Sequence, residues 1–108
     1  RPTASRVRDT SLVPGGTGTK GNHVEAFRTK DRSCVMVYCP VRRKIVVDAT
    51  SIKDDRIDAW KVSTKDGSFI RCDTMEKGDR MEFDPPPQGD DWVLILDAHS
   101  KRYGLPVH

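Results

Sequence analysis

The sequence predicts an all-β fold, an antiparallel β-sandwich of about seven to eight short strands. From residue 22 onward, short runs in which apolar and polar side chains alternate recur along the chain. Turn-forming residues separate these runs about every eight to twelve residues, which is typical of sandwiches and barrels. No segment has a helical period, and residues 50–55 are expected to form one short turn at most. The 108 residues suffice for one hydrophobic core.

The first part of the chain is predicted to lie outside the sandwich. Residues 1–11 show no apolar period and are interpreted as a linker from a larger parent protein, which leaves residues 12–108 as a single domain. A loop follows Leu12 and Val13, because a proline and several glycines cluster over residues 14–21. This loop lacks the strand-to-helix context of a phosphate-binding loop, so we interpret it as a plain connection.

Seven strands follow in order, each bounded by residues that favour turns. They are predicted at residues 22–27, 33–39, 44–48, 56–62, 68–73, 80–83 and 92–97. Asp66 and Gly67 form the clearest turn, because glycine adopts the left-handed backbone conformations that tight hairpins need. We therefore predict a β-hairpin that joins the fourth and fifth of these strands.

Two of the predicted strands are apolar on both faces. Residues 34–38 and 92–96 consist mainly of valine, leucine, isoleucine and similar side chains, with little polar alternation. Such strands lie at the centre of a sheet and are covered on both sides. Because a small two-layer sandwich covers only one face of each sheet, we expect a neighbouring domain or an N-terminal segment to cover the second face.

Composition and charge argue against several classes of partner. The net charge of +3 arises from 19 basic and 16 acidic residues whose signs alternate closely. A basic stripe interleaved with aromatic residues is absent from the sequence, so no nucleic-acid partner is expected. No apolar segment is long enough to cross a membrane, so no membrane partner is expected either. Cys34, Cys39 and Cys72 are an odd number for a set of disulfides, and their apolar neighbours favour buried thiols.

The sequence predicts no catalytic residue, no metal site and no cofactor. No nucleophile has a base at a suitable spacing, and there is no Gly-x-Ser-x-Gly elbow. Cys34 and Cys39 lie on one strand, where alternation directs them to opposite faces, which is poor zinc geometry. The acidic pairs at residues 54–55 and 90–91 are candidate calcium ligands, but isolated pairs of this kind more often form turns and caps.

Three residues are candidates for binding or interdomain contact: Trp60, Tyr38 and Arg56. Alternation places Trp60 with Arg56 and Asp58, on the more polar face of its strand. Trp60 is therefore either a docking residue or a partly covered surface aromatic, because tryptophan is enriched at interfaces and also packs at sheet edges. Tyr38 ends the doubly apolar run 34–38, one side of which is a candidate contact surface.

The order of several short motifs resembles a known family. These motifs are Val37-Tyr38-Cys39-Pro40, Val46-Val47-Asp48, Ile57-Asp58-Ala59-Trp60, Phe83-Asp84-Pro85-Pro86 and Asp91-Trp92-Val93-Leu94-Ile95-Leu96-Asp97. In order and spacing they resemble the family called the putative collagen-binding domain of a collagenase. Members of that family usually follow an apiosidase-like (β/α)8-barrel glycoside hydrolase, at its C-terminal side. Where the family tends to carry two consecutive aromatic residues, this sequence has Trp60 followed by Lys61.

The resemblance implies a parent enzyme whose catalytic carboxylates lie on its barrel, so none of them carries over to this chain. It also implies an extracytoplasmic or secreted bacterial protein. Our first hypothesis is a non-catalytic accessory domain that packs on the catalytic barrel and stabilises it, and it predicts an exposed apolar patch. The alternative is an autonomous binding module for polysaccharide or collagen, which needs a groove or an aromatic platform. A stand-alone enzyme is the third hypothesis, and it lacks an acid–base constellation in the sequence.

Overall fold

The computed structural model describes residues 6–14, 24–41, 43–87 and 91–102, and these residues form nine strands and two short 3-10 turns. The strands are β1 (Arg6–Arg8), β2 (Glu25–Thr29), β3 (Cys34–Cys39), β4 (Ile45–Val47), β5 (Arg56–Ser63), β6 (Phe69–Arg71), β7 (Met75–Glu76), β8 (Met81–Phe83) and β9 (Trp92–Ala98). The 3-10 turns are Thr10–Leu12 and His99–Lys101.

Seven of these strands form one antiparallel sheet. Its order is β1-β2-β3-β9-β5-β6, and the two-residue strand β7 pairs with the other end of β5. The remaining strands, β4 and β8, pair with each other in a separate two-stranded sheet. The predicted antiparallel β-sandwich is confirmed, with one large layer and one small one.

The two doubly apolar strands lie at the centre of the large sheet, as predicted. β9 pairs with β3 from Cys39 opposite Trp92 to Cys34 opposite Asp97, and it pairs with β5 on its other side. Central strands bury the most backbone and side-chain surface, and Leu94 and Leu96 are fully buried. The most apolar segments of the sequence therefore hold the sheet together.

The hydrophobic core fills the space between the large sheet and the small one. Alternate residues of the large sheet point inward and meet apolar side chains of β4, β8 and the connecting loops. The core includes Ala26, Val35, Val37, Ile45, Val47, Ile52, Ile57, Ala59, Phe83, Trp92, Leu94 and Leu96. We call this side of the large sheet the inner face and the opposite side the outer face.

The predicted hairpin around Asp66 and Gly67 is confirmed. β5 and β6 pair antiparallel from Val62 opposite Phe69 to Trp60 opposite Arg71. Gly67 has a φ of +73°, a left-handed conformation that residues with a Cβ adopt only with strain. Its N–H donates to the carbonyl of Ser63 at 3.0 Å, which closes the turn.

Residues 6–8, which were predicted to belong to the linker, form the edge strand β1. Arg6 and Arg8 pair with Thr29 and Phe27, and both guanidinium groups lie over the Phe27 ring, 5.3 and 5.8 Å from its centre. Backbone pairing and cation–π contacts hold this strand, so it carries no apolar alternation to mark it in the sequence. The sheet thus begins before residue 12, while residues 1–5 of the predicted linker lie outside the described residues.

Two other predictions fall partly outside the described residues. The glycine-rich loop over residues 14–21 is described only at Pro14, and the predicted strand 22–27 is described from residue 24.

Residues 50–55 form turns and bends without a helix, and the Ile52 N–H donates to the Ala49 carbonyl at 3.1 Å. The single short turn predicted there agrees with this geometry.

The three cysteines are free thiols. Cys34 packs in the apolar cluster of the outer face and Cys39 in the core, so alternation directs them to opposite sides as predicted. Burial raises the pKa of the Cys39 thiol to about 12, and burial also raises the pKa of half-buried Cys72. Burial therefore favours the protonated form of both thiols while the fold is intact.

Candidate functional site

The outer face of the large sheet carries an unusual mixture of side chains. In a two-layer sandwich this face normally meets water and is mainly polar. Here the three central strands direct a row of mostly apolar side chains toward it. The outer-face residues of β3, β9 and β5 are Cys34, Met36, Tyr38, Val93, Ile95, Asp97, Arg56, Asp58, Trp60 and Val62.

An apolar groove of about 440 Å³ lies on this face. Its lining residues are Met36, Val62, Ser63, Thr64, Gly67, Val93 and Ile95. Met36 and Val93 are partly exposed, and Val62 and Ile95 lie deeper, at 7% and 8% exposure. The groove is therefore an open apolar surface on the side of the sheet that the small sheet does not cover. We use the name apolar groove for these seven residues.

Trp60 lies beside the groove and is covered by its neighbours. Alternation placed it correctly with Asp58 on the outer face, but its exposure is only 3%. The Arg71 guanidinium lies 5.5 Å from the centre of the indole, and the Phe69 ring meets it edge-on at 6.3 Å. The indole Nε1–H donates to Asp97 Oδ2 at 3.1 Å. Trp60 thus presents no open aromatic platform, and its participation in an interface stays a prediction.

Asp58 is the centre of a polar cluster next to Trp60. Its Oδ1 accepts hydrogen bonds from Thr74 Oγ1 at 2.6 Å and from Arg71 Nη2 at 3.4 Å, and it lies 2.9 Å from His99 Nδ1. Burial raises the pKa of Asp58, but the hydrogen bonds from Thr74 and His99 and the charges of His99 and Arg71 together hold it below its ordinary value. Asp58 is therefore a carboxylate at neutral pH.

A second hollow, of about 390 Å³, is lined by Asp58, Trp60, Arg71, His99 and Arg102. We call it the arginine pocket. The Arg71 side chain is 50% exposed, and Arg102 is exposed at the end of the second 3-10 turn. Arginine carries five N–H donors in a planar fork that matches a carboxylate or a phosphate. The pocket is therefore suited to an anionic group.

Tyr38 lies on the outer face near the other end of the apolar groove. Its side chain is 37% exposed, and its hydroxyl donates to Asp91 Oδ2 at 2.9 Å. Thr64 Oγ1 donates to the other oxygen of the same carboxylate. The hydrogen bond to Asp91 raises the pKa of Tyr38, and the bonds from Thr64 and Tyr38 lower the pKa of Asp91. This network ties β3 to the start of β9 and to the turn after β5.

Arg56 is exposed at the far end of β5. It lines a separate hollow of about 500 Å³ with Asp55, Glu76 and Lys77, and it belongs to neither the apolar groove nor the arginine pocket. The structure therefore brings Trp60 and Tyr38 to one face with β9 between them, while Arg56 shares the Trp60 side of β5 by alternation but lies at the far end of the strand. The role of all three in binding or interdomain contact stays a prediction.

Two of the four candidate calcium ligands, Asp54 and Asp91, have other partners, and Asp90 lies outside the described residues. Asp54 Oδ2 accepts from the Ser100 N–H at 2.6 Å, and Oδ1 accepts from the Arg56 N–H at 3.3 Å. Among the described residues, no group of three or more His, Cys, Asp or Glu side chains is placed to hold a metal ion. The described part of the chain likewise contains no helix long and apolar enough to cross a membrane.

The polar cluster around Asp58 was not predicted from the sequence. Thr74 and His99 are 16 and 41 residues away from Asp58, and no motif links them. Alternation identified only that Asp58 and Trp60 share a face. The pairing of β5 with β9 then brings the second 3-10 turn to Asp58, which is a consequence of strand order that local patterns do not reveal.

Comparison with known proteins adds a family and structural relatives. Residues 7–97 match the family described as "Putative collagen-binding domain of a collagenase". The curated proteins contain no significant match to the sequence. A solved structure titled "Glycoside hydrolase" superimposes with a TM-score of 0.85 at 30% identity, over 96% of this chain and 23% of that one. A glycoside hydrolase family 5 protein from Bacteroides vulgatus ATCC 8482 also gives a TM-score of 0.85, at 25% identity over 100% of this chain and 23% of that one. The chain thus spans about a quarter of each relative.

Proposed function

This chain belongs to the family described as "Putative collagen-binding domain of a collagenase", and from its superposition on two glycoside hydrolases we propose that it is the accessory β-sandwich domain of such an enzyme. In this proposal the domain has no catalytic site of its own. It packs on the catalytic barrel of the same polypeptide and stabilises that barrel.

The structural superposition supports the proposal most directly. Essentially the whole chain aligns with 23% of two longer proteins that are both called glycoside hydrolases. Recurrence of this kind is typical of a separate folding unit within a larger protein. The hydrophobic core that the large and the small sheet share supports the same interpretation for this chain.

The carboxylates of the outer face support a non-catalytic role. Most glycoside hydrolases use two carboxyl groups that flank the scissile bond and reach the sugar. Asp58 and Asp97 are opposite each other on β5 and β9, which makes them the obvious pair to consider. Asp97 is only 1% exposed and accepts a hydrogen bond from the Trp60 Nε1–H. Asp58 accepts hydrogen bonds from the side chains of Thr74 and Arg71. These hydrogen bonds engage both carboxylates within the fold, which supports the non-catalytic role that we propose.

The test of the proposal uses the natural reading frame that contains this chain. The complete protein and a variant that ends before this domain are compared by thermal unfolding and by turnover of aryl glycosides. We expect the truncated protein to unfold at a lower temperature and to lose soluble yield, because removal of the domain exposes the barrel surface that it covers. Unchanged stability of the truncated barrel would contradict the packing role. Turnover by this domain alone would contradict the non-catalytic role.

A second candidate is an autonomous binding module for polysaccharide or collagen. The arginine pocket favours it, because Arg71 and Arg102 offer hydrogen-bond donors at an open surface. The test is retention of the domain, at micromolar concentration, on insoluble polysaccharides and on collagen, with Arg71→Ala as the matched variant. Retention that the variant loses would support this candidate. Absence of retention on every matrix would contradict it.

A further inference from the structure

We propose that the outer face is the surface by which this domain docks on the catalytic domain of the same polypeptide. The partner surface is complementary in chemistry: apolar side chains enter the apolar groove, and at least one carboxylate enters the arginine pocket. This inference rests on the proposed function and adds to it the face, the contact residues and the chemistry of the partner.

The two faces of the large sheet are covered unequally. The small sheet and its loops bury the inner face, and the outer face has no comparable layer among the described residues. The centre of that face is nevertheless aliphatic, with Met36, Val62, Val93 and Ile95 side by side on three neighbouring strands. An apolar centre with a polar rim is the arrangement of a protein interface.

Two exposed arginines lie in the arginine pocket beside the groove. The carboxylates of the face are already engaged: Asp58 by Thr74 and Arg71, Asp97 by Trp60, and Asp91 by Tyr38 and Thr64. Arg71 is half exposed, and Arg102 is exposed with no ion pair to a described residue. The pocket thus places two guanidinium groups, Arg71 and Arg102, beside one carboxylate, Asp58, and a carboxylate of the partner complements the second positive charge.

The lining of the outer face favours a protein domain over a polysaccharide as the partner. A polysaccharide usually stacks its rings on an exposed aromatic side chain, and the indole of Trp60 is covered by Arg71 and Phe69. The groove itself is lined by aliphatic side chains and by the short polar residues of one turn. Such a lining suits the aliphatic and aromatic side chains of another protein domain. The relatives supply that domain in the same polypeptide, since this fold is 23% of their length.

The experiment places one charge in the groove and an equal charge elsewhere. Val93→Glu alters a partly exposed side chain of the groove, and Val46→Glu alters a partly exposed side chain of β4 on the small sheet. Each substitution is made both in the isolated domain and in the complete protein. The midpoint of thermal unfolding is measured for the four variant proteins and for the two unsubstituted ones. The rate of proteolytic cleavage between the two domains is measured in the complete protein.

We expect Val93→Glu to lower the Tm of the complete protein by about 3 °C or more beyond its effect on the isolated domain, and to speed interdomain cleavage. Val46→Glu is expected to lower the Tm of the isolated domain and of the complete protein by the same amount. Arg71→Glu, like Val93→Glu, is expected to lower the Tm of the complete protein more than that of the isolated domain. Arg71→Lys is expected to retain most of the Tm that Arg71→Glu loses. The Arg71 effect should shrink in high salt, because exposed ion pairs are screened.

Three outcomes would overturn the inference. If Val93→Glu lowers the Tm of the isolated domain and of the complete protein equally, the groove is covered from within this chain. If Val46→Glu produces the context-dependent loss, the domain docks through the small sheet, and the accessory function stands while the assigned face is wrong. If Val93→Glu abolishes retention on a polysaccharide without affecting the complete protein's stability, the face is a sugar site. Failure of the accessory function itself is recognised separately, because the truncated barrel then keeps its stability.

Discussion

At the scale of single residues, the outer face buries charge next to apolar side chains. Asp97 is almost completely inaccessible, and the indole N–H of Trp60 is one of the donors that hold it. A buried carboxylate is costly unless hydrogen bonds replace the water it has lost. The Trp60–Asp97 contact therefore fixes the relative position of β5 and β9 as well as covering the tryptophan.

We predict that Trp60→Phe lowers the free energy of unfolding by about 2 kcal/mol, since it removes a donor from a buried acceptor. Urea denaturation measures this, and Asp97→Ala, which removes the acceptor, completes the cycle together with the double variant. A coupling of about 1 kcal/mol or more between the two positions is expected. Strictly additive effects would show that the hydrogen bond contributes nothing to stability.

Asp54 supplies a prediction about pH. Hydrogen bonds from the side chain and the N–H of Ser100, and from the N–H of Arg56, lower the pKa of Asp54 from 3.8 to about 2. Because the pKa is lower in the folded state, the carboxylate stabilises the fold above about pH 4, and this contribution is lost as the pH falls toward 2. We expect Asp54→Asn to be less stable than the unsubstituted protein at pH 6 and equally stable near pH 2.

The control for Asp54 is Asp55→Asn, which alters the adjacent, exposed carboxylate. Thermal unfolding across this pH range compares the three proteins. A stability difference for Asp54→Asn that stays constant with pH would contradict the assignment, as would the same pH dependence in both variants.

At the scale of elements, the hairpin between β5 and β6 depends on one backbone conformation. Gly67 has a φ of +73°, and a Cβ placed there would meet no atom within 4 Å. The cost of a side chain at this position is therefore backbone strain and not a steric clash with neighbours. The turn borders the apolar groove, so its conformation also shapes the outer face.

We predict that Gly67→Ala costs about 1–2 kcal/mol of stability, because the left-handed conformation is unfavourable for alanine. Gly67→Asn should cost less, since asparagine tolerates this conformation better. Gly78→Ala is the matched control, because Gly78 has no positive φ and an added Cβ would make only an ordinary contact of 3.6 Å with Met81. Chemical denaturation compares the three, and equal losses at Gly67→Ala and Gly78→Ala would contradict the argument.

The elements also show what the sequence can and cannot predict. Alternation and turn residues correctly located the strands that contribute to the core, because burying one face of a strand imposes that pattern directly. β1 was missed because backbone pairing with β2 and contacts with Phe27 hold Arg-Val-Arg in place, and neither leaves an apolar alternation in the sequence. β7 was missed because it has only two residues, Met75 and Glu76, which are too few to form a pattern. Trp60 was assigned to the right face, but its cover comes from Phe69 and Arg71 on the paired strand, which alternation within one strand does not show.

At the scale of the whole molecule, the large sheet separates two apolar clusters. The larger one lies between the sheets, and the smaller one, around Cys34, Trp60, Val62 and Ile95, lies on the outer face. Both clusters use side chains of the same three central strands. The two sides are therefore expected to unfold together, since neither can open without breaking the shared backbone pairing.

The cysteines allow a test of this cooperativity. Cys34 belongs to the outer cluster and Cys39 to the core, and both are fully buried, whereas Cys72 is half buried. We expect a thiol reagent at pH 8 to modify Cys72 first, and Cys34 and Cys39 later at a common rate that increases with urea as global unfolding does. Peptide mapping of the labelled sites gives the three rates. A faster rate at Cys34 than at Cys39 would mean that the outer face opens on its own.

The position of β9 has a consequence for how the protein is made. It is the last strand of the described chain, yet it lies between β3 and β5 and hydrogen-bonds to both. On the ribosome, the strands on either side of it emerge first and have no partner along those edges until residue 92 has been synthesised. A nascent chain that stalls earlier exposes open strand edges, which invite aggregation or chaperone capture. Native structure in this domain is therefore expected to form only after translation has passed its final strand.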